Sequence, residues 1–63
     1  MTQKELLYVE DAINHEDTMI AYLNDLTNTL TDDDLISFIN DEIKRHKMTK
    51  KKIYKTLESK ENE

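Results

Sequence analysis

The stretch Thr27-Asn28-Thr29-Leu30-Thr31-Asp32-Asp33-Asp34 lies between two long runs with helical spacing, and it decides the fold of this chain. It predicts a turn, because Thr27, Asn28 and Thr29 have low helix propensity and Asn28 readily adopts a left-handed conformation. Thr31 is expected to cap the next helix by accepting the amide of Asp34. The three aspartates would face the positive end of that helix's dipole. The alternative is one continuous, kinked helix.

Helical periodicity places the first helix at about residues 3–27, the turn at 28–31 and the second helix at about residues 32–59. Charge favours folding the helices back on each other. Residues 1–34 carry one Lys against nine acids, whereas residues 43–60 carry eight Lys or Arg against one Glu. An antiparallel hairpin brings these segments side by side, and a straight helix would separate them. We therefore predict a single all-α domain formed by an antiparallel two-helix hairpin.

Composition narrows the class of protein. Hydrophobic residues make up 37% of the chain, and Gly, Pro, Cys and Trp are absent, so disulfides and thiolate metal sites are excluded. No apolar run approaches the roughly 20 residues that span a bilayer, so we expect no membrane interaction and a cytoplasmic location. The basic run at residues 47–52 could attract phosphate. The net charge of −5 and the acids nearby favour a solvated face instead, and no nucleic acid is expected.

The apolar face of the first helix is wider than one neighbouring helix needs. A hairpin of this length also has little core of its own, so something else must cover the remaining apolar side chains. Self-association into a four-helix bundle is the simplest solution, and we expect a homodimer. The residues expected at the interface are Tyr8, Ala12, His15, Met19, Tyr22, Leu26, Phe38 and Tyr54.

Three ionisable residues interrupt the apolar stripes: Glu16, Glu42 and His46. A turn centred near residue 29.5 would place Glu16 level with Ile43, between the other two. Two paired hairpins would gather about four carboxylates and two imidazoles, as in carboxylate-bridged di-iron bundles. The three residues are therefore candidate ligands for iron or manganese. The alternatives are a hydrogen-bonded layer that fixes register or a solvated position at the rim.

No catalytic signature is present apart from this possible metal site. Neither histidine has a Ser or Cys nucleophile suggested by spacing, and no Gly-rich loop could hold phosphate. The chain is therefore not expected to be an enzyme unless a di-metal site forms.

Scattered residues resemble a known family. They are Lys4-Glu5-Leu6-Leu7-Tyr8-x-Glu10-Asp11-Ala12, then Glu16, Tyr22, Leu30-x-Asp32-x-x-Leu35, His46 and Leu57. The pattern is similar to that of the spore coat F-like proteins, small ferritin-like helical hairpins of spore-forming Firmicutes. The resemblance implies a hairpin that assembles into bundles, a location in the spore coat and other coat proteins as partners. Glu16 and His46 are the positions carried over.

A shorter segment, Asp34-Leu35-Ile36-x-x-Ile39-x-Asp41-Glu42-Ile43-Lys44-Arg45, resembles the second helix of the small hairpin that inhibits sporulation histidine kinases. This resemblance implies docking on a kinase helical bundle. The sequence thus predicts a structural assembly module, with a metal-binding ferritin-like dimer and a kinase inhibitor as alternatives.

Overall fold

The computed structural model describes residues 1–61, which form two α-helices: α1 (Gln3–Thr29) and α2 (Asp33–Glu61). The helices pack against each other in antiparallel directions, and the molecule measures 48 × 16 × 10 Å. The all-α helical hairpin is confirmed. The alternative of one continuous helix is wrong, because the chain leaves the helical conformation at residues 30–32.

A capping box begins α1. The Glu5 amide donates to Thr2 Oγ1 at 3.1 Å, and the Thr2 amide donates to Glu5 Oε1 at 2.8 Å. These two bonds satisfy amides that have no partner inside the helix. The bond from the Thr2 backbone amide is also the main reason that the pKa of Glu5 lies below its ordinary value, since it favours the charged carboxylate.

The first helix ends two residues later than periodicity indicates. The hydroxyls of Thr27 and Thr29 donate to the carbonyls three residues before them, at 2.7 and 2.9 Å. These bonds help to satisfy the last turn, so low propensity alone does not end the helix there. Asn28 lies inside α1, and no residue in the described range has a positive φ angle. The chain exits instead through an extended Leu30, with φ −87° and ψ 147°.

The second helix is capped by Asp32, and the prediction of Thr31 as its cap is wrong by one position. Asp32 Oδ1 accepts the amide of Leu35 at 3.0 Å, and the Asp32 carbonyl accepts the amide of Ile36 at 3.0 Å. Aspartate caps helices at least as well as threonine. This choice still leaves Asp33 and Asp34 in the first turn, where the helix dipole favours negative charge.

The core between the helices is small. Only Ile13, Leu23 and Ile43 are buried among the described side chains. The accessible surface is 5140 Å². A compact monomer of 7.5 kDa exposes about 4,200 Å² by the usual scaling of surface with mass. The hairpin therefore exposes about 900 Å² more surface than a globular protein of its size.

Candidate functional site

A hydrogen-bonded pair of ionisable residues lies in the seam between the helices. The Nδ1 atom of His46 on α2 lies 2.5 Å from Oε2 of Glu16 on α1. A carboxylate can only accept when it is ionised, so in that state His46 Nδ1–H is the donor. The Glu16 side chain is 13% exposed and that of His46 is 25% exposed. The pair is thus mostly shielded from water. A charge-assisted hydrogen bond is stronger in such a shielded position than at the surface.

The register of the hairpin differs from the expected one by about one helical turn on α2. Glu16 lies level with His46, whereas the sequence placed it level with Ile43. The cause is the turn: α1 runs on to Thr29 and α2 starts only at Asp33, so the turn centres near residue 31. Because the turn centre lies later in the sequence, each α1 residue faces an α2 residue about three positions further along the chain than predicted.

The third ionisable residue of the predicted layer, Glu42, does not take part in this bond. Glu42 forms a long ion pair with Arg45, at 3.8 Å between Oε1 and Nη2. His15 is exposed. Within residues 1–61 no group of three or more His, Asp or Glu side chains is arranged to hold a metal. One hairpin therefore joins two of the three candidate ligands, and the iron or manganese site across two hairpins stays a prediction.

One side of the hairpin carries large exposed apolar side chains, and we call it the Tyr8 face. An open groove of about 390 Å³ lies on it, between Tyr8 and Ala12 of α1 and Lys52 and Thr56 of α2. Helical spacing extends the face along both helices towards the turn. Its members are Tyr8, Ala12, His15, Met19, Tyr22 and Leu26 on α1, and Leu35, Phe38, Glu42, Arg45, Thr49, Lys52 and Thr56 on α2.

The aromatic residues of this face point away from the core. Tyr8 and Tyr22 are each 60% exposed, and Phe38 is 58% exposed. Met19 and Leu26 are half-buried beside them. Seven of the eight predicted interface residues lie on the Tyr8 face. Sequence reasoning missed Leu35, which is also exposed, although its spacing of three from Phe38 could have indicated it.

Tyr54 is the eighth predicted interface residue, and the structure places it on the opposite side, which we call the Tyr54 face. It lines a groove there with Glu10 and Asn14. The Nζ atom of Lys50 lies 5.9 Å from the centroid of the Tyr54 ring and donates a hydrogen bond to the Asp17 carboxylate. That bond raises the pKa of Lys50 above its ordinary value. The exposed α1 residues beside the Tyr54 ring, Glu10, Asn14 and Asp17, are polar.

Comparisons with protein-family models, curated proteins and solved structures return no match to the chain. The resemblances to spore coat F-like proteins and to the kinase inhibitor therefore stay predictions from the sequence. Within the described residues, neither helix has a segment long and apolar enough to cross a membrane.

Proposed function

We propose that the protein is a small helical assembly module that dimerises through the Tyr8 face into a four-helix bundle. The observation that carries this proposal is that four large exposed side chains, Tyr8, Tyr22, Leu35 and Phe38, lie on one side of a two-helix molecule. Soluble monomers rarely expose large contiguous apolar patches, and such patches commonly mark interaction sites.

The areas agree with a dimer. The hairpin exposes about 900 Å² more than a compact monomer of its mass. A stable protein interface buries about 800 Å² on each partner. Aromatic residues are also the side chains most enriched at such interfaces, and Tyr8, Tyr22 and Phe38 supply them here.

The small core also supports dimerisation. Three buried aliphatic side chains and the half-buried ones beside them provide little apolar burial against the conformational entropy of ordering about 60 residues. Covering the Tyr8 face would supply the missing apolar burial at about 25 cal/mol per Å². The dimer is therefore expected to be the stable folded unit, with a melting temperature that rises with protein concentration.

The test compares two exposed aromatic residues on opposite faces of α2. Phe38→Ser removes an apolar anchor from the Tyr8 face, and Tyr54→Ser removes an aromatic ring of similar exposure from the Tyr54 face. In sedimentation equilibrium, we expect a wild-type dimer at micromolar concentration. Phe38→Ser should raise the dissociation constant at least about tenfold, or 1.4 kcal/mol, and Tyr54→Ser should leave it unchanged. A folded wild-type monomer at hundreds of micromolar would refute the proposal, as would equal effects of both variants.

A metal-binding dimer is a second candidate, because the structure brings Glu16 and His46 together in the seam. Two hairpins would supply two such pairs, and carboxylate and imidazole ligands suit iron and manganese. Metal content after anaerobic incubation with ferrous iron or Mn²⁺ tests this role. Glu16→Ala with His46→Ala should abolish binding, while His15→Ala, at an exposed histidine, should retain it. Negligible binding by the wild-type protein rules this candidate out.

The cellular setting follows from the resemblance to spore coat F-like proteins. We propose the spore coat as the location and other coat proteins as partners. A fluorescent fusion expressed in a spore-forming host should accumulate around the forespore. Diffuse fluorescence, together with capture of a sporulation histidine kinase, would favour the inhibitor alternative instead.

A further inference from the structure

We infer that the second copy docks on the Tyr8 face with its turn at the opposite end of the bundle. In this arrangement α1 packs on α1 of the second copy, and α2 packs on α2. The inference rests on the proposed dimerisation and deepens it, since it specifies which of two possible orientations the dimer adopts. The positions of the groove and the exposed rings on the Tyr8 face and the charge on α2 support the same choice.

The residues that α1 contributes to the Tyr8 face have a spacing that is the same when it is read from either end. They are Tyr8, Ala12, His15, Met19, Tyr22 and Leu26, so the steps alternate between four and three residues. Two copies of such a stripe can therefore pack in opposite directions with each member facing a member of the other copy. Ala12 then faces Tyr22 of the second copy, and the small side chain leaves room for the ring. The symmetry axis crosses α1 near residue 17.

The groove of about 390 Å³ agrees with this register. It lies beside Ala12, between α1 and α2, in the half of the molecule away from the turn. The exposed rings of Tyr22 and Phe38 lie in the half that contains the turn. Opposite orientation seats the rings of each copy at the groove of the other. The same orientation of both copies would stack rings on rings and leave two grooves facing each other.

Charge on α2 selects the same orientation. Residues 33–42 carry four acids and no base, whereas residues 43–60 carry eight Lys or Arg and one Glu. Antiparallel packing of α2 on α2 sets each acidic segment beside a basic one. With both turns at one end, residues 17–45 of the two copies would lie together, each with seven acids against two bases. Like charges placed together across an interface disfavour that partner orientation.

The distance between the two turns tests the inference. The chain has no cysteine, so Thr31→Cys gives one labelling site, in the exposed turn. Turns at opposite ends should give an intermolecular spin-label distance of about 42 Å, from a rise of 1.5 Å per residue over about 14 residues in each copy. Turns at the same end should give less than about 20 Å, because packed helices lie only 8–10 Å apart.

Asn14→Cys is the matched control, since this exposed residue lies near the middle of the rod on the Tyr54 face. It should report an intermolecular distance in either orientation. A long Thr31 distance with a signal from Asn14 supports the inference. A short Thr31 distance overturns the orientation and leaves the dimer intact. No intermolecular distance at either site overturns the proposed dimerisation as well.

Discussion

The bond between Glu16 and His46 predicts strong energetic coupling between these two positions. Glu16→Leu leaves the His46 Nδ1–H without its partner, and His46→Leu leaves a carboxylate unpaired. Each loss is expected to cost about 1–3 kcal/mol of unfolding free energy, since an unpaired polar group that is largely buried keeps its desolvation penalty. His46→Leu should cost more, because the Glu16 side chain is only 13% exposed. The double variant should be close to the wild type, giving a coupling energy of at least about 1 kcal/mol.

Urea unfolding of the four proteins at one fixed protomer concentration measures this cycle. The concentration must be fixed because dimerisation contributes to apparent stability. Equal slopes against urea would show that the unfolded reference has not changed. Glu10→Leu, at an exposed acid on the same helix, is the control and should shift stability by less than about 0.5 kcal/mol. Additive effects of the two single changes would show that the pair does not interact in solution.

Two further predictions concern the helix starts. Asp32→Ala should lower the unfolding free energy by about 1 kcal/mol in the same denaturation assay, as expected for loss of a helix cap. Thr31→Ala should leave it nearly unchanged. The reverse result would show that Thr31 is the cap. Because the pKa of Glu5 is lower in the folded state, its charged carboxylate stabilises the fold fully at pH values above the ordinary Glu pKa. This contribution is lost as the pH falls through the pKa of the folded state. Glu5→Gln should therefore flatten the dependence of melting temperature on pH below 4.5. If the melting temperature of the variant falls with acid as steeply as that of the wild type, the capping box does not contribute as described.

The hairpin could be predicted because several signals agree at different levels. The two periodic runs, the polar stretch between them and the separation of acidic from basic residues all require two helices side by side. The start of α1 could also be predicted, because the capping box at Thr2 and Glu5 is a local motif whose partners lie three residues apart.

The turn could not be placed within two residues from sequence alone. Thr27 and Thr29 have low helix propensity, yet both lie within α1, where their hydroxyls donate to carbonyls of the preceding turn. Several adjacent aspartates could each cap α2, and local rules do not separate neighbouring caps of similar strength. The error then propagates, since the turn centre sets which α2 residue faces Glu16.

The sequence could predict that a polar layer lies in the seam, but not which residues pair within it. The sequence predicts a polar layer of Glu16, Glu42 and His46, because all three interrupt apolar stripes that face across the seam; the structure joins Glu16 to His46 and pairs Glu42 with Arg45. Tyr54 is predicted at the same interface as the residues of the Tyr8 face, because its spacing on α2 indicates that it is exposed but not on which side of the hairpin it lies. Its neighbours Lys50 and Asp17 belong to two helices, so their ion pair could be located only once the register was known.

The antiparallel hairpin also determines how the molecule responds to force. Met1 and the last turn of α2 lie at the same end of a 48 Å rod. Tension applied between the two chain ends therefore peels the helices apart from that end and does not slide one along the other. The seam opens in sequence, first near Leu57 and Ile53, then at the Glu16–His46 bond, and last at Leu26 and Ile36 next to the turn. That polar bond lies about halfway along the seam, so unzipping reaches it only after the apolar contacts nearer the chain ends have opened.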